Sequence, residues 1–274
     1  MKILVPIDFS EASLNAATYA TKLAADLGST DVIVFHVFAP TNIGSDGTPI
    51  GDNDQTAYLH ISDLIQNLQL ALHDKTPSVA TDKRIAVGDF ATEFKYLLSK
   101  ESFDIIVMGM AHISKFEEKL LGSSVLDIID AHKKPVFVIT EGVKYGTIKK
   151  AALAADLQSD TGKIKFELIT NILKPLRADL DLVSILDDPD GELTPGQASR
   201  LEEFKNQLAV LHPTHVILEK DNFLRAINNY AETNEADLLI VLPRKQNFFR
   251  RLFGLSQSTK LLFGGNLPVM ALRY

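Results

Sequence analysis

Two places in this sequence combine residue types that can do chemistry. The first is Asp8, at the end of the apolar run Lys2-Ile3-Leu4-Val5-Pro6-Ile7. The second begins with Ile105-Ile106-Val107-Met108-Gly109 and resumes, after a polar loop, at Leu120-Leu121-Gly122-Ser123-Ser124-Val125. A short, continuously apolar run reads as a strand buried on both faces, as parallel sheets require. Val125, Leu126, Ile128 and Ile129 then recur at helical spacing. Strand, glycine loop and helix start together present free backbone N–H groups to an anion. In an open parallel sheet, ligands bind beyond the carboxyl ends of the strands. The expected site therefore lies at that rim, with Gly109 ending its strand where the chain turns.

The elements that must position these residues alternate in type. Strands are expected at Lys2–Ile7, Asp31–Phe38, Lys83–Val87, Phe103–Met108 and Val136–Ile139. Helices are expected at Ala12–Leu27 (Ser10 as its N-cap), Leu59–Leu72, Phe90–Lys100 and Ser123–Ala131. Residues 40–57, rich in Gly, Asp, Asn, Thr and Pro, read as a long exposed loop. Such alternation predicts an α/β fold: a doubly wound domain with a parallel sheet and right-handed crossovers.

The second half repeats the plan. Strands are expected at Ala151–Ala155, Leu180–Leu186, Thr214–Leu218, Asp237–Leu242 and Pro268–Leu272. Helices are expected at Gly162–Leu176, Ser199–Leu208 and Phe223–Asn234, with Leu261-Leu262 in a further one. Asp104-Ile105-Ile106-Val107-Met108 matches Asp237-Leu238-Leu239-Ile240-Val241, and Lys134–Ile139 matches Leu267–Leu272, both at an offset of 133. The domain reading is 1–143 and 147–274, with a short polar junction.

Composition narrows the function. The chain has 274 residues, 46% hydrophobic, with 28 basic against 35 acidic residues and a net charge of −7. That balance argues against a nucleic-acid or anionic-membrane binder. With no cysteine there are no disulfides, thiol nucleophiles or Cys-based metal sites. No apolar run approaches the roughly 20 residues of a membrane span, and no signal peptide precedes the first strand. A soluble cytoplasmic protein is expected. Neither a G-x-S-x-G elbow nor a Walker A motif is present, Asp8 has no adjacent acid, and the H-x-G-H motif of related nucleotidyltransferases is missing. No catalytic residue and no metal are expected.

Val5-Pro6-Ile7-Asp8-Phe9-Ser10, Phe35-His36-Val37 and the glycine pattern together resemble the universal stress proteins, in tandem over essentially the whole length. ATP-binding members carry Gly, two residues, Gly, nine residues, Gly, then Ser or Thr. Here the spacing is kept, but His112 stands where the second glycine belongs. The resemblance implies that Pro6, Ile7 and Asp8 lie beside base and ribose, and that Val37 contacts adenine. It further implies that Gly109, Gly122, Ser123 and Ser124 line the phosphates, with Met108 among the nucleotide-binding residues. A glycine at such a place allows close approach of a phosphate or a positive φ. His112 would block the phosphate channel, swing out, or donate to an anion. At the offset of 133, Gly109, His112 and Gly122 become Leu242, Lys245 and Leu255, so ATP is expected in the first half only.

Other features have bland readings. His36 reads as a core histidine with one satisfied nitrogen. His212 and His215 flank Pro213-Thr214 and have no acidic partner at ligand spacing. Arg244, Lys245, Arg250 and Arg251, with Phe248, Phe249 and Phe253, read as a solvated loop anchored by its aromatics. Asp187, Asp188 and Asp190 read as a turn. The leading expectation is a non-catalytic stress-response protein with a regulatory adenine-nucleotide site and an unidentified protein partner. The alternatives are a nucleotide-free interaction module and a weak ATPase. The resemblance also implies pairing of the two fifth strands within the chain, a pseudo-dimer, with a homodimer of chains as a further option.

Overall fold

The computed structural model describes residues 1–29, 31–39, 53–110, 133–158, 162, 164–186, 192–219, 223–243 and 267–273. In the first half these form β1 (Lys2–Pro6), α1 (Glu11–Asp26), β2 (Asp31–Phe38), α2 (Asn53–Lys75), β3 (Ala80–Val87), α3 (Phe90–Lys100), β4 (Ile105–Met110) and β5 (Val136–Thr140). The second half follows with β6 (Lys150–Ala154), α4 (Phe166–Leu176), β7 (Asp179–Leu186) and α5 (Pro195–Gln207). A 3₁₀ turn, β8 (Thr214–Glu219), α6 (Phe223–Thr233), β9 (Leu238–Val241) and β10 (Val269–Ala271) complete it.

The ten strands among the described residues join one sheet in the order β3-β2-β1-β4-β5-β10-β9-β6-β7-β8. Every neighbouring pair is parallel except the central one, where β5 and β10 run antiparallel. Two doubly wound halves thus meet at their fifth strands. Phe137 faces Met270 at the centre, with Val136 opposite Ala271 and Val138 opposite Val269. This register is the one a two-fold axis would impose, and it removes two exposed sheet edges.

The sheet's alternation sorts side chains to two faces. Ile3, Val5, Val32 and Val34 pack with α1, α2, α4 and α5, through residues such as Leu23, Leu72, Ile169 and Phe204. Leu4, Ile33, Phe35 and Val183 pack on the other face with Phe94 and Leu97 of α3 and with Ile227 and Tyr230 of α6. Complete burial of each such aliphatic or aromatic side chain contributes about 1.5–3 kcal/mol, which is why the central strands carry no alternating polar face.

The repeat has two offsets. Lys2 pairs with Asp31 as Lys150 pairs with Asp179, an offset of 148. Helices α3 and α6, of equal length, are offset by 133, as are β4 and β9. The second half is shorter between its second strand and α6, the counterpart of α3: α5 there has 13 residues where α2 has 23.

Several expectations need correction. Helix α2 starts at Asn53 and ends at Lys75, so the end of the expected 40–57 loop is helical. Strand β3 begins at Ala80, three residues before the expected Lys83. Helix α5 begins at Pro195, because Thr194 and Gln197 form a reciprocal capping box with proline in the first turn. Helix α4 begins at Phe166 rather than Gly162. Strand β4 runs on through Gly109, which pairs with Ile139 inside the ladder rather than turning the chain. The expected helix Ser123–Ala131, the bulk of the 40–57 loop, the basic-aromatic cluster from Arg244 to Phe253, Leu261-Leu262 and the Asp187–Asp190 turn lie outside the described residues. Among the described residues no helix is long and apolar enough to cross a membrane.

Candidate functional site

The described part of the expected site is a rim built on three adjacent strands, β2-β1-β4. Leu4 lies opposite Ile106, so Pro6 and Met108 fall two residues further along neighbouring strands. The Ile7 N–H donates to the Phe35 carbonyl at 2.8 Å, extending the ladder with β2 to the foot of the turn. Val37, two residues beyond, is half-buried at the same rim. Pro6, Ile7, Asp8, Val37, Met108 and Gly109 are therefore brought together. His112, Gly122, Ser123 and Ser124 lie outside the described residues.

Asp8 is the exposed acid of this group. Its Oδ1 accepts the Ser10 N–H at 3.0 Å and the Ser10 hydroxyl, closing an Asx turn. Burial of the carboxyl opposes its ionisation, but hydrogen bonds from Ser10 and Ser13 outweigh that and hold it below the usual carboxylate range. Ser10 in turn caps α1, accepting the Ser13 N–H, while the Ser13 hydroxyl donates to the Ser10 carbonyl at 3.0 Å. The amino terminus of a 16-residue helix thus opens beside an ionised acid.

Between them, Phe9 has a φ of 62°. A bulky residue in the left-handed region is a genuine outlier and needs support from its surroundings. His36 supplies it. The His36 ring lies 4.9 Å from the Phe9 ring, and its Nδ1–H donates to the Ile7 carbonyl at 2.8 Å. His36 is thus the core histidine expected, and it also pins the turn.

Gly109 has a different reason from the one expected. Its φ is not positive. A Cβ placed on it would overlap the Ala12 carbonyl group and the Ser13 nitrogen. The missing side chain therefore lets the first turn of α1 lie directly on β4, which sets where the Asp8–Ser10 turn sits. Met108 turns its side chain into the core, so its main chain is what reaches the rim. Sequence reasoning missed Phe9, Ser13 and His36 as supports of Asp8. The Asp-x-Ser spacing followed by a helix was the available signal.

The second half keeps the turn. The Asp156 Oδ1 accepts the Gln158 N–H at 2.9 Å, as Asp8 accepts from Ser10. Leu242 stands half-buried against the core at the place of Gly109. Of the two histidines, His215 Nε2 lies 3.2 Å from the buried Ser184 hydroxyl; desolvation, then the charge of Lys205, lowers its pKa. Among the described residues no group of three or more His, Asp or Glu could hold a metal.

This architecture defines the class: two adenine nucleotide alpha-hydrolase-like units in one chain, joined through their fifth strands. The universal stress protein family model matches residues 1–140, and the chain belongs to that family. A universal stress protein from Archaeoglobus fulgidus DSM 4304 is similar over 99% of this chain and 96% of its own, at 18% identity and a TM-score of 0.70. A functionally unknown protein from Pseudomonas aeruginosa PAO1 is similar over 99% of this chain and 92% of its own, at 15% identity and a TM-score of 0.55. The cytoplasmic domain of a prokaryotic cation chloride cotransporter covers 99% and 95%, at 12% identity and a TM-score of 0.56. At these identities the likeness concerns the fold alone. No curated protein matches the chain in sequence.

Proposed function

We propose that this is a non-catalytic, cytoplasmic stress-response protein that binds ATP in its first half as a regulatory ligand and passes that state to a protein partner. The observation supporting this reading is the Asp8 turn. An exposed acid is held ionised at the carboxyl rim, beside the capped amino terminus of α1. Asp8 would take a ribose or base donor, Val37 the adenine face, and the loop after β4 the phosphates. The second half, with Leu242 in place of Gly109, is expected to bind none.

Calorimetry with ATP on the full chain tests this. One nucleotide per chain is expected, weakened at least tenfold (about 1.4 kcal/mol) by Asp8→Ala and unchanged by Asp156→Ala. Phosphate release should not exceed that of a Gly109→Val control. Two nucleotides per chain would refute the assignment to one half.

A nucleotide-free interaction module is the second reading. It is favoured by the packing of α1 against Gly109, which explains that glycine without a ligand. Binding seen only after His112→Gly would decide for it.

A further inference from the structure

The sheet ends on two outer strands, β3 and β8, and their edges are finished differently. Along a strand, successive residues turn their main-chain N–H and C=O to opposite neighbours. The Gly88 N–H donates to the Phe38 carbonyl, so the even-numbered residues of β3 face β2, and Thr81, Lys83 and Ile85 face outward. Side chains cover these outward groups. Gln69 of α2 donates to the Thr81 carbonyl at 2.6 Å, Asp82 accepts the Lys83 N–H at 2.8 Å, and Arg84 donates to the Lys83 carbonyl at 2.9 Å. Arg84 is itself held by Glu101 at 2.6 Å. An edge that is capped and charged in this way resists pairing with another strand.

Strand β8 carries no such finish. The Val183 carbonyl accepts from Ala155, next to β6, so the neighbouring Ser184 turns its main chain to β8. Its register partner there is Ile217, which makes Val216 and Leu218 its bonding partners. The main chain of His215, Ile217 and Glu219 therefore points away from the sheet. Among the described residues no side chain takes those groups, and the His215 ring turns to Ser184 instead. Val216, Ile217 and Leu218 are only half-buried, whereas Leu182 and Val183 beside them on β7 are buried.

We propose that β8 pairs antiparallel with β8 of a second chain about a two-fold axis at Ile217, continuing the sheet across two molecules. With the axis there, the Ile217 N–H and C=O of the two chains bond each other, and His215 exchanges the same pair of bonds with Glu219 of the second chain. The side chains agree with that register. Val216 lies opposite Leu218, Ile217 opposite itself, and the His215 imidazole opposite the Glu219 carboxylate, a donor facing an acceptor. An axis at Glu219 would instead oppose two carboxylates. The occupant is thus a second copy, because this strand complements its own reverse.

Sedimentation equilibrium on the full 30.2 kDa chain tests this. The wild type is expected to approach twice that mass, reversibly, as concentration rises. Ile217→Pro deletes the central outward N–H at a place where an edge strand tolerates proline, and should weaken association at least tenfold. Ile85→Pro, at an outward position of β3, should leave association unchanged. Glu219→Lys should weaken it about threefold. Cross-linking gives a readout free of proline. The chain has no cysteine, so Ile217→Cys supplies a single thiol. Directly opposed residues of a bonded pair lie about 5.5 Å apart at Cα, within disulfide range, so this variant should form a linked dimer on mild oxidation. Val216→Cys, which faces Leu218 rather than itself, should not. A wild type that stays monomeric at the highest concentration reached would overturn the proposal. So would a dimer equally strong in Ile217→Pro, or cross-linking as efficient in Ile85→Cys as in Ile217→Cys.

Discussion

The two carboxyl rims share one turn and differ in what leans on it. Asp8 and Asp156 close the same Asx turn after the same first strand. In the first half, α1 begins at Glu11 and rests its first turn on Gly109. In the second, the equivalent α4 begins at Phe166, seven residues later at the offset of 148, and its N-cap Lys165 makes no side-chain cap bond. Leu242 replaces the glycine. Glycine and full-length helix go together, and so do leucine and shortened helix. A residue usually read as part of a ligand loop thus also decides how far a helix reaches toward the rim.

The largest test of that contrast exchanges the two residues. Gly109→Leu should cost about 3 kcal/mol or more, since the overlap is with main chain and cannot be relieved by a rotamer. Leu242→Gly should cost about 1–2 kcal/mol, from lost burial and added backbone freedom. Urea midpoints measure both. Hydrogen exchange at Leu14, whose N–H donates to the Ser10 carbonyl, should rise only in the first variant. Equal costs would break the link between glycine and helix.

The opposite ends of the strands differ as well. In the second half, Asp181 is 6% exposed, accepts the Tyr230 hydroxyl at 2.8 Å and pairs with Lys150 at 3.1 Å. The matching first-half positions are Ile33 and Leu97, which are apolar. Tyr230→Phe should therefore cost about 1–2 kcal/mol, leaving the buried carboxylate one donor short, in a denaturation measured at neutral pH. The first half places its charges outside instead, with Glu101 accepting from Lys2 and from Arg84 at 2.6 Å each.

The smallest effect is acid sensitivity. Hydrogen bonds from Arg84, then Lys2, hold the Glu101 carboxyl down at about 2. A depressed carboxyl stabilises the fold above its unfolded value of roughly 4.3, and that share is lost as pH falls toward 2. Glu101→Gln should flatten stability across that window, by the few tenths of a kcal/mol typical of an exposed pair. Asn234 holds the equivalent place in the second half, so Asn234→Ala should leave the pH profile unchanged.

Much of the fold was legible because buried parallel strands are written as apolar runs. Asp31–Phe38 and Phe90–Lys100 match β2 and α3 in both bounds. Pairing of the fifth strands was also anticipated. Polar helix starts were harder: Asn53-Asp54-Gln55-Thr56 has no apolar periodicity, so the first turn of α2 looked like loop. The capping box at Thr194 and Gln197 was readable and was passed over. The offset of 148 escaped notice because β1 and β6 share a pattern of burial rather than letters. At the site, Asp8 was legible from its place after a strand. Its supports were not, since Phe9's backbone and the placement of His36 depend on packing between strands. The reason for Gly109 lay in a helix nearly a hundred residues away.

Joining β5 to β10 within a single polypeptide has a consequence for inheritance. In a dimer of identical subunits, every substitution appears twice, so a change useful to one subunit is imposed on the other. Here one copy can lose a glycine, gain a buried carboxylate or shorten a helix while its neighbour stays as it was. The covalent tether also keeps the copies together at any dilution, so neither has to retain the affinity that association between separate chains would demand.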